Sequence, residues 1–184
     1  MSAIEILREE HEVIKAALGV LEKMCRRLES GQAVDVDHLE KILEFIRVFV
    51  DKCHHGKEED VLFLEMEKAG VSRRDEPIGV ILMEHDLGRR IVKELTEAIK
   101  AYDAGDENAA RRIVESARGY VNLINGHIYK EDNVLYPLAE KILSPEKQSE
   151  LLEKFEEIEH EKVGVEVHEK FHALIRRLRE FYSS

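Results

Sequence analysis

The sequence predicts an all-α fold: an up-down-up-down four-helix bundle over residues 1–142, with an additional C-terminal helical region over 143–184 packed on it. Three observations predict it. Apolar residues recur at three-and-four spacing along four long stretches, the period of one buried helix face. Charged residues make up 36% of the chain and only three residues are proline, which fits long helices with solvated outer faces. The chain also repeats itself. Glu10-His11-Glu12 returns 74 residues on as Glu84-His85-Asp86, and His54-His55-Gly56-Lys57-Glu58 returns 73 residues on as His127-Ile128-Tyr129-Lys130-Glu131. Two copies of one helical hairpin make a bundle of four helices.

The first helix opens at Ser2, with Glu5 three residues later, the pairing of a capping box. Ile4, Leu7, His11, Ile14, Leu18, Leu21, Cys25 and Leu28 form one apolar seam that contains His11, and Ser30-Gly31-Gln32 ends the helix. The second helix covers about residues 37–68. Leu39, Leu43, Ile46, Val50, His54, Glu58 and Val61 share one stripe, while His55 and Glu59 fall on the neighbouring stripe with Asp51. His54 and Glu58 are therefore the inward pair, and the repeat register selects the same two. A turn-rich link over residues 70–77 leads to the third helix, whose seam is Ile78, Ile81, His85, Gly88, Val92, Leu95, Ile99 and Tyr102. Gly105-Asp106 turns the chain. The fourth helix covers about residues 107–142 and aligns Ile113, Tyr120, Leu123, His127, Glu131 and Val134. Ser144-Pro145 is an N-cap and N1 pair that opens the C-terminal region, and Gly164 breaks it before a last helix to Tyr182.

Residues level with each other in a helical hairpin are equidistant from its turn. The midpoint of His11 and His54 falls at Gln32 and Ala33, beside Gly31; that of His85 and His127 falls at Asp106, beside Gly105. Each lone histidine is thus expected level with the histidine of its hairpin partner.

The net charge of −11 speaks against nucleic acid and anionic membrane as partners, and no basic stripe overrides it. No apolar run is long enough to span a bilayer, and the first residues lack the charged and apolar regions of a secretory signal. The expectation is a soluble, cytoplasmic protein whose Cys25 and Cys53 are buried thiols rather than a disulfide. Sparse Asn and Gln and the absence of Trp lean towards a heat-adapted source.

One imidazole on a core stripe is ordinarily a hydrogen-bonded core residue. Here His11, His54, His85 and His127 stand at matched places, with Glu58 and Glu131 four residues after two of them. On a helix that spacing puts His and Glu on one face. Two glutamates on apolar stripes without Lys or Arg lack a counter-charge, which two metal cations would supply. Imidazole and carboxylate without thiolate favour iron, manganese or zinc.

The order His, then His-x-x-x-Glu, twice over, followed by Val61-Leu62-Phe63 and Val134-Leu135-Tyr136-Pro137, resembles the hemerythrin-like, HHE cation-binding family over about residues 3–142. The resemblance implies a four-helix bundle holding two iron ions (Fe2+/Fe3+) joined by a bridging oxo or hydroxo group. It carries the ligand role to His11, His54, Glu58, His85, His127 and Glu131. Oxygen-carrying members place an extra histidine on one iron. The third helix here has no extra seam histidine, so the set is symmetric and closer to di-iron proteins linked to nitric oxide response and iron–sulfur cluster repair. Those often carry a separate Cys-containing N-terminal domain, which has no counterpart here. The expected function is binding of, or reaction with, a small diatomic or peroxide ligand (oxygen, nitric oxide or peroxide), with a redox partner unidentified. An iron-binding or storage protein and a ligand-sensing module, both without turnover, are the alternatives. Whether the protein is an enzyme, and its oligomeric state, stay open. Four histidines and two bridging glutamates, with a solvent-derived bridge, leave one coordination place per iron, in a pocket lined by Ile14, Leu18, Val50, Val92 and Leu123.

Four further features have other readings. His168-Glu169-Lys170-Phe171-His172 matches the H-E-x-x-H zinc-protease pattern, but the chain offers little room for a third ligand. It reads as a surface helix packed on the bundle, with an auxiliary metal site including His160 as the second reading. His38 reads as solvated. His55 reads as exposed beside Glu59 or as a support for the ligands. Glu10 and Glu84 read as a solvated face, or as acceptors that orient imidazoles.

Overall fold

A computed structural model of the protein describes residues 1–183. Among these residues the chain forms six successive helical runs and no strand. We label them α1 (Ala3–Glu29), α2 (residues 36–68), α3 (Ile78–Asp103), α4 (residues 109–142), α5 (residues 145–163) and α6 (Val165–Phe181). Among the described residues no helix is long and apolar enough to cross a membrane.

The local signals place the ends. Glu5 N–H donates to the Ser2 hydroxyl at 3.2 Å and Ser2 N–H donates to the Glu5 carboxylate at 2.7 Å, closing the capping box. Asp35 caps α2 and Ser144 caps α5, where Pro145 occupies the first turn. Gly31, Gly105 and Gly164 take positive φ of 81°, 85° and 80° at the ends of α1, α3 and α5, a conformation that favours glycine.

α2 and α4 are not uniform. In α2, Ile46–His55 and Glu58–Leu62 are π-helical, and in α4 Glu131–Leu135 is. The wider turn delays the inward face. Val134, expected on the stripe, is 53% exposed, and Leu135 and Tyr136 point inward instead. The π segments beginning at Glu58 and Glu131 are repeat-matched, so the duplication extends to the backbone irregularity. Such segments recur at functional sites.

α1 packs on α4, α3 on α4, and α2 on α3. Their apolar residues fall into two clusters. One holds Ala3, Ile4 and Leu7 of α1, Leu62, Phe63 and Met66 of α2, Ile78 and Ile81 of α3, and Leu135, Tyr136 and Ala139 of α4. The other holds the rest of the four seams, from Ile14 to Leu28, Leu39 to Val50, Leu95 to Ile99 and Ile113 to Ile128. Between the two clusters each helix contributes buried polar residues: Glu10 and His11; His54, His55, Lys57 and Glu58; Glu84 and His85; His127 and Glu131. α5 adds Leu151, Phe155 and Ile158 to the first cluster, and α6 adds Phe171, Leu174, Ile175 and Leu178 to the second. Cys25 and Cys53 are buried free thiols, and burial pushes both up to about 12. His38, expected in solvent, is half-buried and pairs through Nδ1 with the Tyr182 hydroxyl at 2.8 Å, because the end of α6 returns over the start of α2.

Candidate metal centre

The polar layer brings together all six residues singled out by the repeat: His11, His54, Glu58, His85, His127 and Glu131 are each buried. They arrive in two imidazole pairs. His11 and His54 Nε2 lie 3.0 Å apart, and His85 and His127 Nε2 lie 3.1 Å apart. Each carboxylate straddles both pairs. Glu131 reaches His11 Nε2 at 3.0 Å and His127 Nε2 at 2.8 Å; Glu58 reaches His54 Nε2 at 3.7 Å and His85 Nε2 at 3.3 Å.

The other ring nitrogen of every histidine faces a carboxylate. His11 Nδ1 lies 2.8 Å from Asp132 and His85 Nδ1 2.9 Å from Glu59; His54 Nδ1 lies 3.5 Å from Glu10 and His127 Nδ1 3.3 Å from Glu84. Asp132 is the repeat counterpart of Glu59, and Glu84 that of Glu10. With Nδ1–H donating outward, each Nε2 turns its lone pair towards the centre, the tautomer a metal requires. Glu10 and Glu84 are therefore buried acceptors rather than a solvated face. Each serves the histidine on the partner helix, which sequence neighbourhood does not reveal. Lys57 and Lys130 hold them from behind, at 3.0 and 2.7 Å.

The residues fit a pair of metal ions. Neighbouring donors around an ion bound at about 2.1 Å lie roughly 3 Å apart, as these nitrogens and oxygens do. Glu58 Oε2 and Glu131 Oε1 are buried without a hydrogen-bond partner. Lone pairs of nitrogen and oxygen converging in a dry interior need a cation between them. Without metal, protons take that role. Burial would lower His11 and His127, but Asp132 and Glu131 push His11 up to about 9, and Glu131 with Glu84 pushes His127 up to about 9. His85 is likewise raised well above the imidazole range against its burial by Glu131, Glu58 and Glu59. Burial would raise the Glu131 carboxyl, yet His127, His11 and His85 hold it well below the usual range.

Two side chains break the symmetry expected from the repeat. Tyr136 donates its hydroxyl to Glu58 Oε1 at 2.6 Å, with the oxygen 3.3 Å from His11 Nε2; its counterpart Phe63 has no hydroxyl and lies beside the His85 ring. His55 is buried, not exposed, and stacks on His85 with ring centroids 3.8 Å apart. The π-helical stretch ending at His55 widens the turn, so two consecutive histidines face inward where an α-helix would present one. Donor atoms of His55, Glu58, His85 and His127 lie within 4.8 Å of one another, as do those of His11, His54, Glu58 and Glu131. A fifth imidazole thus adjoins one half of the centre, from α2 rather than α3. Burial holds it well below the usual imidazole range, hence neutral.

The H-E-x-x-H histidines lie on α6. His168 and His172 pack on the Phe49 ring, and their Nε2 atoms are buried without partners. His168 adjoins Glu10, Cys53 and Glu159, but the fully buried Lys57 ammonium already bridges Glu10 and Glu159, at 3.0 and 2.5 Å. His160 is exposed and belongs to neither group.

The family model of the hemerythrin HHE cation-binding domain matches residues 2–139. Uncharacterized proteins of Mycobacterium tuberculosis (strain H37Rv) and Mycobacterium bovis are each 27% identical over 164 residues, covering 89% of this chain. The chain spans 64% of the length of these relatives.

Proposed function

This chain belongs to the hemerythrin HHE cation-binding family, and on that premise we propose that it is a non-haem di-iron protein that binds or reacts with a small ligand: oxygen, nitric oxide or peroxide. Its first four helices form an up-down-up-down bundle around the pair. His11 and His54 would hold one iron and His85 and His127 the other, with Glu58 and Glu131 shared and a solvent-derived oxo or hydroxo bridge between them. Iron in such a pair supplies electrons and a Lewis-acidic coordination place to a small ligand. The observation that supports this reading best is the set of four Nε2 atoms converging on two straddling carboxylates, each ring fixed from behind by its own carboxylate.

The chain's own residues set the conditions. The two apolar clusters exclude water above and below the polar layer. Tyr136 fixes one oxygen of Glu58 and offers a hydroxyl proton on the His11 side. His55 stands where it can donate a fifth nitrogen on the His85 side, which makes the two places unequal.

The experiment is elemental analysis followed by spectroscopy. Fully loaded protein is expected to carry two irons per chain; one or none overturns the proposal. Nitric oxide added to anaerobic, reduced protein is expected to change the optical and electron paramagnetic spectra. Reversible changes with oxygen mean binding and consumption of oxygen means turnover. Unchanged spectra in loaded protein leave the alternative, an iron-binding, storage or sensing module.

A further inference from the structure

A cleft of about 390 Å³ opens between α2 and α3, with Tyr120 of α4 at its base. Its floor is formed by His55 and His85, so it leads from solvent to one half of the centre. The opposite half is covered. Tyr136 stacks on His11 at 5.4 Å, and Lys57 with Glu159 closes over Glu10 beside His54.

The walls of the cleft carry an unusual charge for this protein. Arg47, Lys93 and Lys100 line it and are exposed. Arg47 donates to the Thr96 hydroxyl at 2.7 Å, and none of the three forms an ion pair among the described residues. Deeper in, Arg89 is fully engaged by three carboxylates, with Nε on Asp51 at 2.9 Å, Nη1 on Asp86 at 3.0 Å and Nη2 on Glu59 at 3.0 Å. Glu97 is the remaining acidic residue of the lining. Arg47, Lys93 and Lys100 against Glu97 give the outer mouth a surplus of two positive charges on a chain of net charge −11, above an inner set in which Arg89 is outnumbered by its carboxylates. Cations gathered at a cleft with low-dielectric walls focus the field and raise the local concentration of small anions.

We infer that the α2–α3 cleft is a binding and access site for a small anion, which Arg47, Lys93 and Lys100 draw towards the His55–His85 side of the centre. This rests on the di-iron reading for its destination, though not for the anion site itself. The volume admits an inorganic anion or a small organic carboxylate and excludes a macromolecule. His55 and His85 are the side chains at the inner end of the cleft. The His55 Nδ1 is held by Asp51 at 3.3 Å, and Asp51 is held in turn by Arg89. An anion that continues to the centre passes the His55 ring.

The test uses iron-loaded full-length protein, iron content measured first, and azide as the probe. In the triple variant Arg47→Gln, Lys93→Gln, Lys100→Gln, azide association at low ionic strength is expected to slow by about tenfold. The rate for nitric oxide, which is neutral, is expected to stay unchanged. A control variant, Arg26→Gln, Arg111→Gln, Lys141→Gln, changes the net charge equally at exposed sites away from the cleft. Equal slowing in both variants, or slowing in neither, overturns the inference. His55→Ala in loaded protein is expected to speed azide association; slower association overturns the route past His55. If the protein loads no iron, the di-iron reading fails and the anion site is read separately by anomalous scattering from bromide-soaked crystals. Bromide beside Arg47, Lys93 or Lys100 then upholds the site, and an empty cleft overturns it.

Discussion

The Tyr136 hydroxyl donates to Glu58 across the protein at 2.6 Å, while Phe63, at the matching place in the other half, has nothing to donate. Both rings are fully buried, so one hydroxyl distinguishes the halves of an otherwise duplicated centre. Tyr136→Phe removes the donor and leaves a buried carboxylate oxygen without it. The expected loss in metal-free protein is about 1–2 kcal/mol by chemical denaturation. No loss would mean that Glu58 finds another donor.

His54 and His55 are expected to differ in kind. His54→Ala removes one nitrogen of an imidazole pair and is expected to lower iron content by about one per chain. His55→Ala is expected to retain two irons and to shift the optical spectrum, since His85 and His127 still face each other at 3.1 Å. Equal iron loss in both variants would make His55 an obligatory ligand.

The carboxylates behind the imidazoles are expected to matter as a set. Glu84→Gln weakens the acceptor that fixes His127, and Glu10→Gln does so for His54. Each is expected to lower iron affinity by roughly 10–100-fold in a chelator competition, the range for such supporting contacts. Unchanged affinity would show that packing alone orients the rings.

The sequence exposed some of this and hid the rest for identifiable reasons. The six residues of the polar layer were legible because the chain states them twice, and the second statement resolves the choice between His54 and His55 as the repeated position. Glu10 and Glu84 could be flagged by the same repeat, but their partners lie on another helix, which helical periodicity cannot show. Val134 faces outward and His55 inward for one shared cause. A 3.6-residue period does not describe the π-helical segments, where the inward face arrives about one residue later. No signal in the residues themselves marks those segments, although a repeat-matched His and Glu at their edges is a place to look for one. The cleft cations were invisible as a group because Arg47 and Lys93 lie on different helices.

Removal of metal is expected to lower the thermal midpoint. An ion at 100 times its dissociation constant stabilises the folded chain by about 2.7 kcal/mol. At about 2–4 °C per kcal/mol for a domain of this size, the midpoint is expected to fall by roughly 5–10 °C. Calorimetry of loaded and stripped protein near neutral pH checks it, and equal midpoints would mean that protons on the histidines satisfy the centre as well as metal does.

A pH dependence is expected away from the centre, at Glu65. The buried carboxylate meets Lys68 at 2.8 Å, Lys154 at 3.3 Å and Lys147 at 3.5 Å, tying the end of α2 to α5. The Lys68 hydrogen bond, foremost among these contacts, lowers its pKa from 4.5 to about 2. A lowered folded-state pKa contributes stability that is complete above about 4.5 and is lost as pH falls towards 2. Glu65→Gln is expected to lower stability by about 1 kcal/mol at neutral pH, a modest value because the lysines are exposed. The gap between variant and parent is expected to close as pH falls from 4.5 to 2, followed by urea denaturation. A gap constant with pH would refute the ion pairs as its source.

The polar layer divides the interior into two half-cores, and the C-terminal helices lie across that division. α5 is anchored in one half-core by Leu151 and Phe155, and α6 in the other by Phe171 and Ile175. Gly164 turns the chain between them, and Glu159 and His168 on either side of it meet Glu10 and Cys53 at the level of the layer. Mechanically this is a splint across a waist. The one cross-section where the main helices meet through charged groups instead of hydrocarbon is braced from outside by a hinged strut. The imidazole pairs can then keep their spacing through repeated loss and return of whatever they hold.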